Sequence, residues 1–199
     1  MFRSMRRAIR IVRWLQWQPK HQSPISVAPK HPGPTKQAAR GTPEVLASIE
    51  SLPVARVMHV LDGDTLLVAI GPMEASVRLD SIDCPEAGQP WGNNARYGLT
   101  KLVGGRSITL EVHGRDPHGR TLATIYVRQA NGSEWLNVNE RMVMLGHAWV
   151  MRMYYDHLPK ERQNQLNRLE AWAKTKKVGL WKTENPTPPW KWRKGSPPQ

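Results

Sequence analysis

Cysteine is nearly absent: Cys84 stands alone among 199 residues, which excludes an intramolecular disulfide and any Cys-rich zinc site. Because chains without disulfides suit reducing and oxidising spaces alike, the compartment stays open. Long apolar runs are also missing. The only candidate, Ile9 to Trp17, is interrupted by Arg10 and Arg13, whereas a bilayer helix needs roughly 18 to 20 apolar residues in succession. Residues 1–17 begin basic and turn apolar, but no small-residue cleavage pattern follows, so there is no clear signal peptide. Cytoplasmic residence and export by a route the sequence does not mark are both compatible with this. No internal repeat is found. His59, His113 and His147 lack the spacing of metal ligands and read as ordinary strand or surface histidines.

Acidic residues are scarce at both ends. Residues 1–50 carry nine Lys/Arg against two acids, residues 51–159 ten against eleven, and residues 160–199 ten against three, for a net charge of +13. Basic flanks around a near-neutral centre suit a polyanion held beside a cation-binding site. The first 17 residues spread arginines among Ile9, Val12 and Trp14, the pattern of a basic amphipathic helix whose partner is an anionic surface, a membrane or a nucleic acid. From Gln18 to about Pro43 the chain is rich in Pro, Lys, Gln and Ser without periodicity, and is expected to be a disordered linker. The division expected is a basic extension over 1–50, a folded domain over 51–183, and a Pro/Trp-rich basic tail over 184–199.

Alternating segments within the domain predict strands at Val54–Leu61, Thr65–Ile70, Ala75–Ile82, Arg106–His113 and Arg120–Val127. In the fourth, Ile108, Leu110 and Val112 are expected to face the core and Thr109, Glu111 and His113 the other side. In the third, Arg78 and Asp80 oppose Val77 and Leu79. Helical spacing appears at Asn93–Val103, around Val138, Met142 and Leu145, and from Pro159 to Lys177. Five short strands with a helix after the third predict an α+β, mainly β, architecture: a five-stranded barrel of oligonucleotide-binding type with three helices. In the tail, the prolines of NPTPPWKWRKG are expected to prevent helix, with Trp181 and Trp190 packing back on the domain and Trp192 available for stacking.

The chemistry-bearing residues recur in a compact order between Leu61 and Arg120: DGDT at 62–65, VRLDSIDCPE at 77–86 and DPHGR at 116–120. Carboxylates of this kind suit a hard divalent cation. Guanidinium groups supply the fixed, bidentate positive charge that a phosphorane needs. Glu86 lies three residues past Asp83, across Cys84 and Pro85, where an extended loop can aim it at a water. In isolation DGD also reads as a hairpin turn.

Together with VNERMVMLGHAWV, VGLW and the PPWKWRK ending, this series resembles the staphylococcal nuclease family over about residues 54–194. The resemblance implies a calcium-dependent nuclease on an oligonucleotide-binding barrel that acts on DNA and RNA and leaves 3′-phosphate ends. Asp64 and Asp83 match the calcium-ligating carboxylates, with the Cys84 main-chain oxygen as a further ligand and Asp62 near the ion. Glu86 matches the carboxylate that activates water, and Arg78 and Arg120 match the arginines on the scissile phosphate. His118 replaces a common tyrosine before Gly-Arg, and Met151 replaces another, leaving Tyr154; His118 and Tyr154 are the expected substrate contacts. The protein is expected to be a monomer. A non-catalytic nucleic-acid-binding module is the alternative reading.

Overall fold

The computed structural model describes residues 43–130, 132 and 134–195. The basic helix expected over residues 1–17, and the linker after it as far as residue 42, lie outside these. The elements run α1 (Pro43–Glu50), β1 (Val54–Val60), β2 (Thr65–Ile70), β3 (Met73–Leu79), β4 (Ile82–Asp83), α2 (Gly92–Val103), β5 (Ser107–Arg115), β6 (Thr121–Arg128), β7 (Trp135–Asn137), α3 (Val138–Met144), β8 (Trp149–Val150), α4 (Lys160–Thr175) and α5 (Pro189–Gly195).

The main sheet has the order β3-β2-β1-β5-β6-β7, and β3 also pairs in parallel with β6. This pairing closes β1, β2, β3, β5 and β6 into a five-stranded barrel, the fold class expected from the strand pattern. Leu66, Val68, Val77, Leu79, Ile108 and Ile125 are almost wholly buried in its core. α2 covers the barrel with Ala95, Leu99 and Val103, and α3 and α4 occupy the other two expected helical stretches. No helix among the described residues is long and apolar enough to cross a membrane.

Four details depart from expectation. The third strand does not run through to Ile82: Ser81 adopts φ 62°, which ends β3 at Leu79 and restarts the chain as β4, hydrogen-bonded to β8. Val112 is 53% exposed, not in the core, because β5 outruns the barrel; from Glu111 on its residues are half-buried or exposed. Thr109, assigned to the other side, is buried. The prolines of the tail do not prevent helix either. Pro189 occupies the first position of α5, where a missing N–H costs nothing, and the Pro188 carbonyl accepts from Lys191 and Trp192 N–H at 3.0 Å each.

Register brings the chemistry-bearing residues to one end of the barrel. Arg78 on β3 stands opposite Thr65 on β2 and Leu122 on β6, so Asp64 and Arg120, just before those strands, flank it. The Asp83 ribbon is fixed from behind. Glu170 on α4 accepts from Val150 N–H at 2.9 Å, from Arg152 at 2.7 Å and from Lys174 at 2.9 Å, which clamps β8 and through it β4. Buried Asn139 donates to the Asp80 and Ala123 carbonyls and accepts from Ile125 N–H, tying α3 to β6 and to the turn after β3. Trp181 and Trp190 both pack edge-on against Trp149, with centroids 5.2 and 6.3 Å away.

His147 links α2 to the chain after α3. Its Nδ1 accepts from Trp91 Nε1 at 3.1 Å, and a Cβ at Gly98 would meet its ring at 2.5 Å, so the ring is enclosed. Burial pushes its pKa down from 6.5 to about 4. A depressed folded-state value means stability is fully present above pH 6.5 and drains away as pH falls towards 4. Urea unfolding at pH 7 and pH 4.5 should therefore show His147→Gln losing less stability on acidification than the parent, by roughly 2 kcal/mol. Parallel losses in the two proteins would show that His147 is not the group responsible.

Candidate active site

The turn joining β1 to β2 is built by Asp62, whose Oδ1 accepts from Asp64 N–H at 2.9 Å, and by Gly63. A Cβ at Gly63 would lie 2.6 Å from Cys84 Cβ and 2.8 Å from Ala95 Cβ. Only glycine lets the turn settle on the Cys84 loop, and that contact seats Asp64 beside Asp83. Gly63→Ala should cost about 1–3 kcal/mol by overpacking, read as a lowered thermal midpoint together with weakened divalent-cation binding. A variant as stable as the parent would mean that the two loops separate without penalty.

Asp64 and Asp83 are 3% and 1% exposed, and one guanidinium bridges them. Arg78 Nη1 donates to Asp64 Oδ1 and Nη2 to Asp83 Oδ1, both at 2.6 Å. Asp64 Oδ1 also accepts from Thr65 Oγ1 at 3.0 Å, and its Oδ2 accepts from Cys84 N–H at 2.9 Å. Burial raises the Asp64 pKa to about 7; Arg78 opposes this, and neighbouring Asp62 and Asp83 add to it. The Cys84 thiol, buried beside the same carboxylates, is pushed well up and is no nucleophile here.

Arg193 closes the arrangement from α5. Its Nη2 donates to Asp83 Oδ2 at 2.9 Å, while its Nη1 contacts Glu86 Oε1. The Glu86 loop is held at its backbone: Glu86 N–H donates to Gln89 Oε1 at 3.0 Å, and Gln89 Nε2 donates to the Thr187 carbonyl at 2.7 Å. Glu86 and α5 therefore share one tether.

On the other side of Arg78, the loop between β5 and β6 folds around Asp116. Its Oδ1 accepts from His118 N–H and Arg120 N–H, both at 2.9 Å, and its Oδ2 from Arg120 Nε at 2.7 Å. Slight burial works against the Asp116 charge, but these donors outweigh it and hold the carboxyl below its usual range. With Nε committed, Arg120 keeps both terminal nitrogens without a protein partner among the described residues. Arg78, Arg120, His118, Glu86, Arg193 and Tyr154 line one open cleft of about 940 Å³. Tyr154 is 62% exposed there.

The expected residues thus form two linked groups: Asp62, Asp64, Asp83, Glu86 and Arg78 together, and His118, Arg120 and Tyr154 along the cleft. Sequence reasoning missed Arg193, which lies in the PPWKWRK ending, as a partner of these acids. It also missed Asp116 and Gln89, which position Arg120 and the Glu86 loop. Nothing in the spacing of Arg193, 107 residues beyond Glu86, announces the contact.

The acids also bear on cation binding. Of the four acids Asp62, Asp64, Asp83 and Glu86, the last three pair with two guanidinium groups, Arg78 and Arg193, while Arg120 is neutralised by Asp116. Two negative charges are left over, the Asp64 carboxyl is pushed towards its neutral form, and the donors are all oxygen. A hard divalent cation fits this set.

A family model described as "Staphylococcal nuclease homologue" matches residues 76–183, more than half of the chain. The chain belongs to the staphylococcal nuclease family. Among its relatives are protein ParB of Escherichia coli, 36% identical over 70% of this chain and 78% of the relative, and micrococcal nuclease of Shigella flexneri, 34% identical over 80% and 94%. An uncharacterized endonuclease of Escherichia coli O157:H7 is 37% identical over 69% and 83%. The family match begins at Ser76, so Asp62 and Asp64 lie before it and Arg193 after it; the barrel register and α5 bring all three to the matched residues.

Proposed function

We propose that this chain is a calcium-dependent, sugar-nonspecific nuclease that hydrolyses DNA and RNA and leaves 3′-phosphate ends. As a member of the staphylococcal nuclease family it is a phosphodiester hydrolase, and nucleic acid is its substrate. The observation that carries the finer reading is the pairing of Asp64 and Asp83 on Arg78, with Glu86 alongside, at the edge of a cleft that offers the free nitrogens of Arg120.

Asp64 and Asp83 would hold the calcium ion, with the Cys84 main-chain oxygen as a further donor and Asp62 shaping the turn beneath. Bound there, calcium supplies Lewis-acid polarisation of a phosphate oxygen. Arg193 occupies Glu86 Oε1 and leaves Oε2 to take a proton from the attacking water. As negative charge builds on the phosphorane, Arg120 presents a fork already oriented by Asp116, and Arg78 lends positive charge from the other side. The bond to the leaving O5′ then breaks, O5′ takes up a proton from water in the open cleft to become a hydroxyl, and the phosphate stays on the 3′ side. Tyr154 and His118 border the cleft where a base or sugar would lie. One chain supplies every group, so the reading needs no second copy and a monomer suffices. Residues 1–17, by their composition, would add attraction to an anionic surface, nucleic acid or membrane.

Labelled single-stranded DNA and RNA incubated with the purified chain should be cut in calcium at least about a hundredfold faster than in chelator, leaving ends that a 3′-phosphatase makes extendable. Undiminished cutting in chelator would remove calcium from the reading. Binding without turnover in any divalent cation would leave the non-catalytic module.

A further inference from the structure

At the floor of the cleft, three side chains outside the acid cluster converge from three parts of the chain. Asp80 lies in the turn after β3, His113 on β5, and His157 just before α4; each offers a ligand atom within 4.8 Å of the other two. We propose that Asp80, His113 and His157 form a second metal site, selective for a first-row transition cation such as zinc and distinct from the all-oxygen site at Asp64 and Asp83.

The placement is a product of the fold. His113 falls in a β-bulge, where the β5–β6 register shifts between Val112 and Gly114, and bulges re-aim the side chain they carry. The result is a pair of imidazoles with centroids 4.9 Å apart and planes tilted by 50°. His157 Nε2 lies 2.9 Å from Asp80 Oδ2. The carboxylate is 3% exposed and is oriented by Ser81 Oγ at 2.5 Å. His113 Nε2 meets Thr124 Oγ1 at 2.9 Å, an outer contact of the kind that fixes a ligating ring.

Two imidazoles and one carboxylate match the preference of zinc and its neighbours for nitrogen, whereas calcium wants oxygen alone. Tetrahedral zinc sets its ligand atoms roughly 3.4 Å apart, and since all three lie within 4.8 Å of one another, no pair needs to close by more than about 1.4 Å. His157, with a side chain 39% exposed in the loop before α4, has the freedom to do so. The nearby charge of Arg162 is already answered by Glu111 and Glu140. Burial favours the neutral, ligating form of His113. Three protein donors leave a fourth position, and because all three residues line the cleft, a water or a phosphate oxygen of bound nucleic acid can take it.

The test is zinc binding by the full chain, read by calorimetry in excess calcium, and it is independent of nuclease activity. One zinc should bind with micromolar affinity or better; His113→Gln and His157→Gln should each weaken it at least tenfold, while Asp83→Asn leaves it unchanged. Parental affinity in either histidine variant, or loss in Asp83→Asn, would overturn the site. Cobalt added to the parent chain supplies a readout that needs no variant to fold: the ring protons of His113 and His157 should show paramagnetic shifts, and unshifted rings would defeat the assignment.

Discussion

Glutamine at position 86 should lower turnover by about two to four orders of magnitude while leaving oligonucleotide affinity within about threefold of the parent. The geometry argues for a clean separation. The backbone of residue 86 is held by Gln89, and the amide oxygen of glutamine can still accept from Arg193 as Glu86 Oε1 does now. The loop, its tether to the segment before α5 and the volume of the side chain are thus retained, and what disappears is a carboxylate able to take a proton. Asp83→Ala acts differently. It removes the acceptor shared by Arg78 and Arg193 and should weaken calcium affinity, with turnover recovering in part as calcium is raised. Single-turnover cleavage and equilibrium binding, each measured across a calcium titration, separate the two effects. Near-parental turnover in both variants at saturating calcium would show that the wrong carboxylates had been assigned.

The barrel was legible because its strands alternate cleanly where they are half-buried, and the helices because Ala95, Leu99 and Val103, or Leu166, Leu169 and Ala173, recur at helical spacing and are buried as that spacing requires. Alternation predicts which residues share a face, not how far the core extends along it. Val112 therefore came out exposed, beyond the covered part of β5. Equally hidden was the break at Ser81, which depends on a left-handed residue without glycine to announce it. In the site, the residues that stand close in sequence were found by their order: Asp62, Asp64, Arg78, Asp83 and Glu86 span one β-hairpin and the loop after it. Arg193 and the Asp80, His113 and His157 cluster were not. Their members are joined by barrel closure, by a bulge and by the docking of the C-terminal helix, and none of these leaves a spacing to read. A single residue of extra chain at His113 turned a side chain read as ordinary towards the cleft.

Lysine in place of Arg78 should lower turnover by about two to three orders of magnitude despite keeping the charge. Arg78 carries out two tasks that need a planar fork. Its two terminal nitrogens reach Asp64 and Asp83 at the same 2.6 Å, so one rigid group sets the spacing of both carboxylates. Burial works against its charge, but those carboxylates outweigh it and raise its pKa further, so it stays cationic at any working pH. An ammonium group is a point charge on a flexible stem and can serve one carboxylate well but not both. The second then stands buried beside a like charge, and Asp64, already pushed up to about 7 by burial, should be driven further towards its neutral form. The lysine variant should accordingly need more calcium for half-maximal activity and reach its activity plateau at a higher pH than the parent, whose own rise is centred near the Asp64 value of about 7. Activity measured at pH 6 to 9 across a calcium series tests this. A lysine variant whose calcium requirement and pH profile overlay the parent's would show that charge alone suffices at position 78 and that the fork is not what organises the site.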